Sequence, residues 1–378
     1  MKKHRGISKK ALKKKRFKLK KKLFNAKFST SWDVLEFLSY KSKRYKYYGI
    51  KRTRSKRVSK NSKRVYFEAP AHIDYYYNND KNHMVMNKFL DEIKQCIINS
   101  NRRIFIDFSK TELISAAAML SFLAEIDVLI KKSSYGVNSI AFSHPKDKKI
   151  ESILKQVGFY DLLKKDKRET PEYDDVTFWK YTSGVCSEPV LASQMMSGIK
   201  QELERVKSRK LYRGFVEAMS NSVEHAYLDD DLHSEQEQTA KWWTFAGINK
   251  DKELIVVICD KGVGIPSTLP KTQGVSALRE FFESIRVSLQ NVRDSTYIKA
   301  AATMSETRTG QNNRGKGFSD ITSVIDNIGA GNLSIFSNKG RYIYGGKHRA
   351  TKEIVKDYKT SVCGTIIEWT IPLEVDDK

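Results

Sequence analysis

Short apolar runs alternate with longer amphipathic segments from about residue 65 to residue 165 of this 378-residue chain. Three runs have the length and the β-branched or aromatic content of strands, namely RVYFEA, RRIFIDFS and VNSIAFSH. Three longer segments have the apolar spacing of helices, namely NHMVMNKFLDEIKQCIINS, ELISAAAMLSFLAEIDVLIKK and DKKIESILKQVGFYDLL. Strands that alternate with helices predict a small sheet packed against helices, so we expect an α/β domain here.

Positive charge is concentrated at the start of the chain. The formal net charge is +25, and residues 1–66 hold 26 Lys and Arg against two acids, so the remainder is nearly neutral. Tyr45, Tyr47 and Tyr48 are interleaved with these basic residues, a pattern that suits phosphate contacts and stacking on bases. Residues 1–66 are therefore predicted to be an arm that binds RNA or DNA. A solubilising tail and an acidic membrane surface are the alternatives.

Several protein classes are disfavoured. The four cysteines show no CxxC spacing, which argues against a zinc site or a disulfide framework and fits a reducing compartment. The most apolar stretch, LISAAAMLSFLAEIDVLI, is interrupted by Glu125 and Asp127, so we do not expect it to span a membrane. No apolar segment of the kind found in secretory signals follows the basic start. A cytoplasmic protein is the expectation, with an organelle or nuclear address as a minor alternative.

The stretch VEAMSNSVEHAY places Glu217, Asn221 and His225 at four-residue steps. Helical residues four positions apart are surface neighbours, so an acid, an amide and an imidazole would share one face of a helix. The apolar residues between them would turn towards a core. A solvated polar stripe is the alternative interpretation, and only partners elsewhere in the chain can decide between the two.

Two glycine-containing motifs follow. The run KELIVVICD leads into DKGVG, where Asp260 can accept a hydrogen bond from an amino group such as that of adenine, and Gly262 and Gly264 let the backbone approach a ligand closely. Further on, RGKG at residues 314–317 precedes a helix, where backbone N–H groups and the helix dipole favour an anion. Residues 305–313 before it are polar and rich in helix breakers, as is typical of a mobile lid.

A fourth motif, CGTIIEWTIPL, places Thr365 at the start of a strand, where its hydroxyl can join an adenine contact directly or through water. In this order the four motifs resemble the N, G1, G2 and G3 boxes of the GHKL ATPases, a family that includes gyrase, chaperone and histidine-kinase ATPases. The resemblance covers residues 186–378. It implies an α/β sandwich, a mixed sheet with helices on one face, with ATP held between the helices and a lid.

The resemblance implies a role for each motif. Asn221 would bind Mg²⁺, and Glu217 would be the general base that activates a water or a protein nucleophile. Asp260 would recognise adenine with the help of Thr365. The other motif residues would shape the nucleotide pocket or contact its phosphates, namely Gly262, Gly264, Arg314, Gly315, Lys316 and Gly317. For His225 the implied role is structural, at the end of the helix.

The N-terminal α/β segment resembles a second family. The phrases IDFSKTELISAAAML and ILKQVGFYDLL, with the order of elements, resemble STAS domains, the fold of bacterial anti-sigma-factor antagonists, over residues 67–165. In the antagonists a serine at the start of a helix accepts phosphate, whereas Ala116 occupies that position here. Unless Ser115 or Ser109 substitutes for it, a scaffold or a surface for a protein partner is expected. Residues 166–185 are the predicted linker.

The motifs also favour one branch of the GHKL family. In sensor kinases the phosphoacceptor histidine is followed by an acid, whereas none of the seven histidines here is. A gyrase-like transducer domain is not expected either, because the residues after the last motif leave no room for one. The motif wording looks most like the anti-sigma serine kinases. We expect an ATPase or a protein serine/threonine kinase that acts as a regulator associated with nucleic acid, as in bacterial stress response or phage defence. A non-catalytic nucleotide sensor is the alternative, and a homodimer is compatible with both.

Overall fold

The structure is a computed structural model that describes residues 64–76, 80–173, 177–178, 181–184, 197, 205–227, 242–307, 317–346 and 353–373. The chain divides into residues 1–63 and 64–378, and all described residues belong to the second unit. Residues 1–63 of the predicted arm, which was expected over residues 1–66, therefore lie outside the described residues. Arg64 belongs to the fold, since its Nη1 donates to the carbonyl oxygens of Ile104 (3.1 Å) and Ser139 (3.3 Å).

The first half of this unit is the predicted α/β segment. Its elements are β1 (Val65–Glu68), β2 (His72–Ile73), α1 (Asp80–Lys94), β3 (Ile104–Asp107), β4 (Leu113–Ile114), α2 (Ala116–Lys132), β5 (Ile140–Ser143), α3 (Lys148–Gln156) and α4 (Phe159–Leu162). Strands β1, β3 and β5 form a parallel sheet in that order, and β2 pairs with β4 in parallel. The alternation of strands and helices is thus confirmed, except that Leu113 and Ile114 of the second predicted helix form β4 and the helix begins only at Ala116. The last predicted helix is split after α3, because Gly158 takes a positive φ of 89° there.

The second half is built on one large sheet. Its elements are β6 (Thr177–Phe178), β7 (Thr182–Gly184), α5 (Arg205–Glu224), β8 (Trp242–Ile248), β9 (Glu253–Cys259), α6 (Ile265–Gln273), α7 (Val275–Ser284), α8 (Asp294–Thr307), α9 (Gly317–Ile328), β10 (Asn332–Ser337), β11 (Gly340–Tyr344), β12 (Glu353–Asp357) and β13 (Thr365–Pro372). The strand order is β12-β11-β10-β13-β9-β8, and both β6 and β7 pair with β8. Every pairing between the described strands of this sheet is antiparallel, whereas a mixed sheet was predicted.

Both faces of the large sheet are buried at its centre, on strand β9. On β9, Leu254, Val256 and Ile258 join a core formed with helices of the second half, including α5 and α9. Val257 and Cys259, on the alternate face, join the core of the first half of the unit. The sheet is therefore a middle layer between two sets of helices. The prediction of helices on one face was too narrow, because α2 of the first half covers the other face.

Helix α2 is buried along most of its length, and two of its buried residues are acids. The carboxylate of Asp127 accepts hydrogen bonds from Trp243 Nε1 (2.9 Å) on β8 and from Lys131 Nζ (2.8 Å). The carboxylate of Glu125 lies 3.8 Å from Lys261 Nζ. These two acids, which argued against a membrane span, connect α2 to the sheet. Among the described residues, none of the helices is long and apolar enough to cross a membrane.

Candidate functional site

The predicted polar stripe lies on the last two turns of α5 and just beyond them. Glu217 and Asn221 are within the helix, whereas His225 lies in the turn that follows its last residue, Glu224. Burial raises the pKa of Glu217, and the nearby carboxylates of Asp320 and Glu224 raise it further. The side-chain nitrogen of Asn221 is buried and has no hydrogen-bond partner among the described residues. The stripe is thus partly desolvated.

Helix α9 packs closely on α5 beside this stripe. A Cβ atom at Gly214 of α5 would lie 2.6 Å from Val324 Cγ2 and 3.0 Å from the carbonyl oxygen of Asp320, so only glycine admits this approach. Asp320 belongs to the first turn of α9, and Gly214 lies one turn before Glu217. The start of α9 is therefore next to the acid.

Most of the RGKG motif, which is predicted to contact phosphates, lies outside the described residues. Of its members, Gly317 is the first residue of α9. Arg314, Gly315 and Lys316 lie outside the described residues, as do residues 308–313 of the predicted lid. Residues 305–307 are the last turn of α8. The structure places the helix that follows the motif, as predicted, and leaves the contacts of the motif itself as predictions.

Asp260 is held at the junction of two central strands. Its backbone N–H donates to the carbonyl oxygen of Thr365 (2.9 Å), and its Oδ1 accepts from the backbone N–H groups of Thr365 (3.2 Å) and Gly262 (2.9 Å). Oδ2 takes part in neither of these side-chain bonds. The residue is only 6% exposed, and burial raises its pKa to about 6, although the two N–H donors and the Lys261 ammonium act in the opposite direction.

The DKGVG turn is attached to the end of α5. The backbone N–H of Val263 donates to the carbonyl oxygen of Ala226 (2.8 Å), and that of Lys261 donates to the Tyr227 hydroxyl (3.1 Å). A Cβ atom at Gly262 would lie less than 3.0 Å from the same carbonyl oxygen of Ala226, so the turn needs glycine here. Asp260 is consequently fixed next to the helix that carries Glu217 and Asn221.

Two residues that no motif singled out also support the turn. Ser337 Oγ accepts from the backbone N–H of Ile265 (2.8 Å) and lies 3.1 Å from Thr365 Oγ1. Asn338 Nδ2 donates to the carbonyl oxygen of Val263 (2.8 Å). Gly264, the N-cap of α6, lies against the Asn338 side chain. The signal in the sequence was a Ser-Asn pair that ends the apolar run NLSIF, but its connection to the turn depends on the pairing of β10 with β13.

The three candidate phosphoacceptor positions of the first half lie elsewhere. Ala116 is the first residue of α2, and Ser115 precedes it as the N-cap, with its Oγ 3.5 Å from the carbonyl oxygen of Ile73. Ser109 follows β3, and its backbone N–H donates to Asp107 Oδ1 (3.0 Å). Nothing in these contacts marks either serine as an acceptor.

The described motif residues lie in one region. Asp260, Gly262 and Thr365 lie near the end of α5, and the start of α9 lies beside Glu217. No family model matches the sequence, and a search of curated proteins finds no match. Among the residues that the structure describes, no three His, Cys, Asp or Glu side chains form a group that could hold a metal ion.

Proposed function

We propose that residues 186–378 form an ATP-binding domain of the GHKL type, packed against a STAS-like layer formed by residues 67–165. The protein hydrolyses ATP or transfers its phosphate to a protein hydroxyl. The observation that carries the proposal is the environment of Asp260, a buried carboxylate held by the backbone N–H groups of Gly262 and Thr365. Its turn is bonded to the residues that follow the helix bearing Glu217 and Asn221.

Recognition of the base rests on Asp260. Both backbone N–H groups bond to Oδ1, and the Thr365 hydroxyl also bonds to this carboxylate. Oδ2, which takes neither backbone bond, would accept from the amino group of adenine. A buried carboxylate costs free energy unless its hydrogen-bonding capacity is used, so a donor on the ligand stabilises it. Thr365 Oγ1, held 3.1 Å from Ser337 Oγ, supplies a second polar group at the same place.

The phosphate end of the site rests on α5 and α9. Asn221 would hold Mg²⁺ through its amide oxygen, since Mg²⁺ needs only one or two protein oxygens beside water and phosphate. Its buried amide nitrogen, which has no partner among the described residues, would donate to a phosphate or water oxygen. When bound, Mg²⁺ neutralises charge on the phosphates. Glu217 takes the proton of the attacking water or hydroxyl, and its raised pKa improves it as a base near neutral pH. The N-terminus of α9 favours the negative charge of the phosphates.

ATP binding by the wild-type protein and by Asp260→Asn tests this proposal. We expect the substitution to weaken ATP binding about a hundredfold, since a charge-assisted hydrogen bond in a buried site is lost. Because the pKa of Asp260 is about 6, wild-type affinity should fall about tenfold per pH unit below pH 6 and level off above it. Isothermal titration calorimetry between pH 5 and pH 8 measures both effects.

Asp251→Asn, in the exposed turn between β8 and β9, is the matched control. Equal affinity of all three proteins would sink the proposal.

Association with RNA or DNA is proposed for the basic arm, on the charge of residues 1–63. We expect removal of these residues to abolish binding to a labelled oligonucleotide, whereas the full chain should lose about a thousandfold in affinity between 50 and 200 mM salt. The deletion should stop at residue 63, because Arg64 is bonded to the fold. Fluorescence polarisation measures the binding. If the shortened chain kept the affinity and its salt dependence, the arm would not be the interface.

A further inference from the structure

Lys261, next to the proposed base-recognition residue, is a buried cation held by the first half of the unit. Its side chain is 10% exposed. Its Nζ donates to Ser121 Oγ (2.8 Å) on α2 and to the carbonyl oxygen of Val362 (3.4 Å), and lies 3.8 Å from the carboxylate of Glu125 on α2. A buried ammonium is stable only when it is paired and hydrogen-bonded, so the position of Lys261 depends on α2.

The partner Ser121 is itself fixed by other buried groups. The hydroxyl of Tyr75 lies 3.2 Å from Ser121 Oγ and 2.9 Å from Asn87 Oδ1, and Asn87 Nδ2 donates to Thr360 Oγ1 (3.2 Å). Thr360 lies two residues before Val362, in the loop that leads to β13. A polar network therefore runs from the Lys261 ammonium through the first half of the unit and returns to the loop that precedes Thr365 and β13. Such a network favours a single arrangement of the groups that it connects.

Lys261 stands between Asp260 and Gly262, and its backbone N–H is bonded to Tyr227 after α5. We propose that Lys261 is a positioning residue for the nucleotide site, and that α2, through Ser121 and Glu125, sets the conformation of the Asp260–Gly262 turn. This inference rests on the proposed ATP site. It makes the STAS-like layer a structural part of that site, so that nucleotide affinity depends on how α2 packs against the large sheet.

The charges around Asp260 provide a readout that a purely structural role would not change. Lys261 lowers the pKa of Asp260, Glu125 of α2 faces the same ammonium, and the Cys259 thiol on β9 is buried beside them with its pKa raised to about 12. The Thr365 side, on β13, contributes N–H and hydroxyl dipoles. Without the ammonium, the pKa of Asp260 rises, so ATP binding should require a higher pH.

The test compares ATP binding from pH 5.5 to 8.5 in the wild type, in Ser121→Ala, and in the double variant Lys261→Met with Glu125→Gln. The double variant avoids leaving one buried charge unpaired. We expect its midpoint for ATP binding to move upward by about one pH unit, with a Kd about fivefold weaker at pH 6. Ser121→Ala should weaken the Kd about threefold, since one hydrogen bond to the ammonium is lost. Thermal unfolding of each variant establishes that it is folded at the assay temperature.

Asp127→Asn is the matched control, because Asp127 also joins α2 to the sheet, through Trp243, without contacting Lys261. We expect its ATP affinity and pH midpoint to match those of the wild type. If the double variant kept the wild-type midpoint, or if Asp127→Asn shifted it equally, the inference would be wrong while the ATP site stood. If the wild type itself bound no ATP, the proposed function would fail first.

Discussion

Replacement of Gly262 by alanine is expected to destabilise the folded unit by about 3 kcal/mol and to abolish ATP binding. The added Cβ would lie less than 3.0 Å from the carbonyl oxygen and the Cβ atom of Ala226, in the turn that follows α5. That carbonyl accepts the N–H of Val263, so the turn cannot move away without breaking the bond that holds it to the helix. Urea unfolding measures the stability, and calorimetric titration measures the binding.

Gly274→Ala is the matched control for this experiment. Gly274 has a positive φ of 82°, but an added Cβ atom would meet nothing within 4 Å, so alanine there is strained by its backbone alone. With φ 82° and ψ 147°, this backbone is close to a region that is nearly confined to glycine, so the strain costs about 1 to 3 kcal/mol but leaves the site intact. The backbone φ of Gly262 is not positive, so the free-energy cost of alanine at that position is steric. Equal losses of ATP binding in the two variants would show that ATP binding does not need the close approach of the turn to Ala226.

Much of the element order could be predicted from the sequence, because it depends on local periodicity. The runs that became β3, β9 and β13 are apolar and β-branched, and α9 follows its glycines as predicted. The strand ELIVVIC is apolar at both odd and even positions, which indicates burial on both faces. We nevertheless expected helices on one face, since that is what the family resemblance implied. The covering helix α2 lies more than a hundred residues earlier, and no local pattern connects it to the sheet.

The site could be predicted only in part for a similar reason. Asp260 and Thr365 belong to motifs at strand ends, and the adjacent positions of β9 and β13 bring them together. In the sequence, Lys261 is one charged residue of a glycine-containing turn, and no pattern sets it apart. Ser121 and Glu125, its partners, are polar residues within an apolar helix. Pairing of this kind is set by the packing of the two halves, which spacing in the sequence does not encode.

Substitution of Glu217 by glutamine is expected to lower ATP turnover by about 10²- to 10⁴-fold and to leave the Kd for ATP within about threefold of the wild type. Glutamine keeps the shape of the side chain but cannot take a proton. The loss should therefore be confined to the chemical step. A phosphate-release assay at saturating ATP and Mg²⁺ measures turnover, with and without RNA or DNA.

The pH dependence of this reaction follows from the neighbours of Glu217. Its pKa is raised by burial and by Asp320 and Glu224, so the ionised base should be lost at a higher pH than for an exposed glutamate as pH falls. Turnover by the wild type should decline on that acid limb, whereas the residual turnover of Glu217→Gln should not. Glu280→Gln, exposed on α7, is the control and should retain the full rate and the limb. Wild-type turnover no faster than that of Glu217→Gln, with ATP bound by both, would favour a nucleotide sensor over an enzyme, since the base would then have no proton to take.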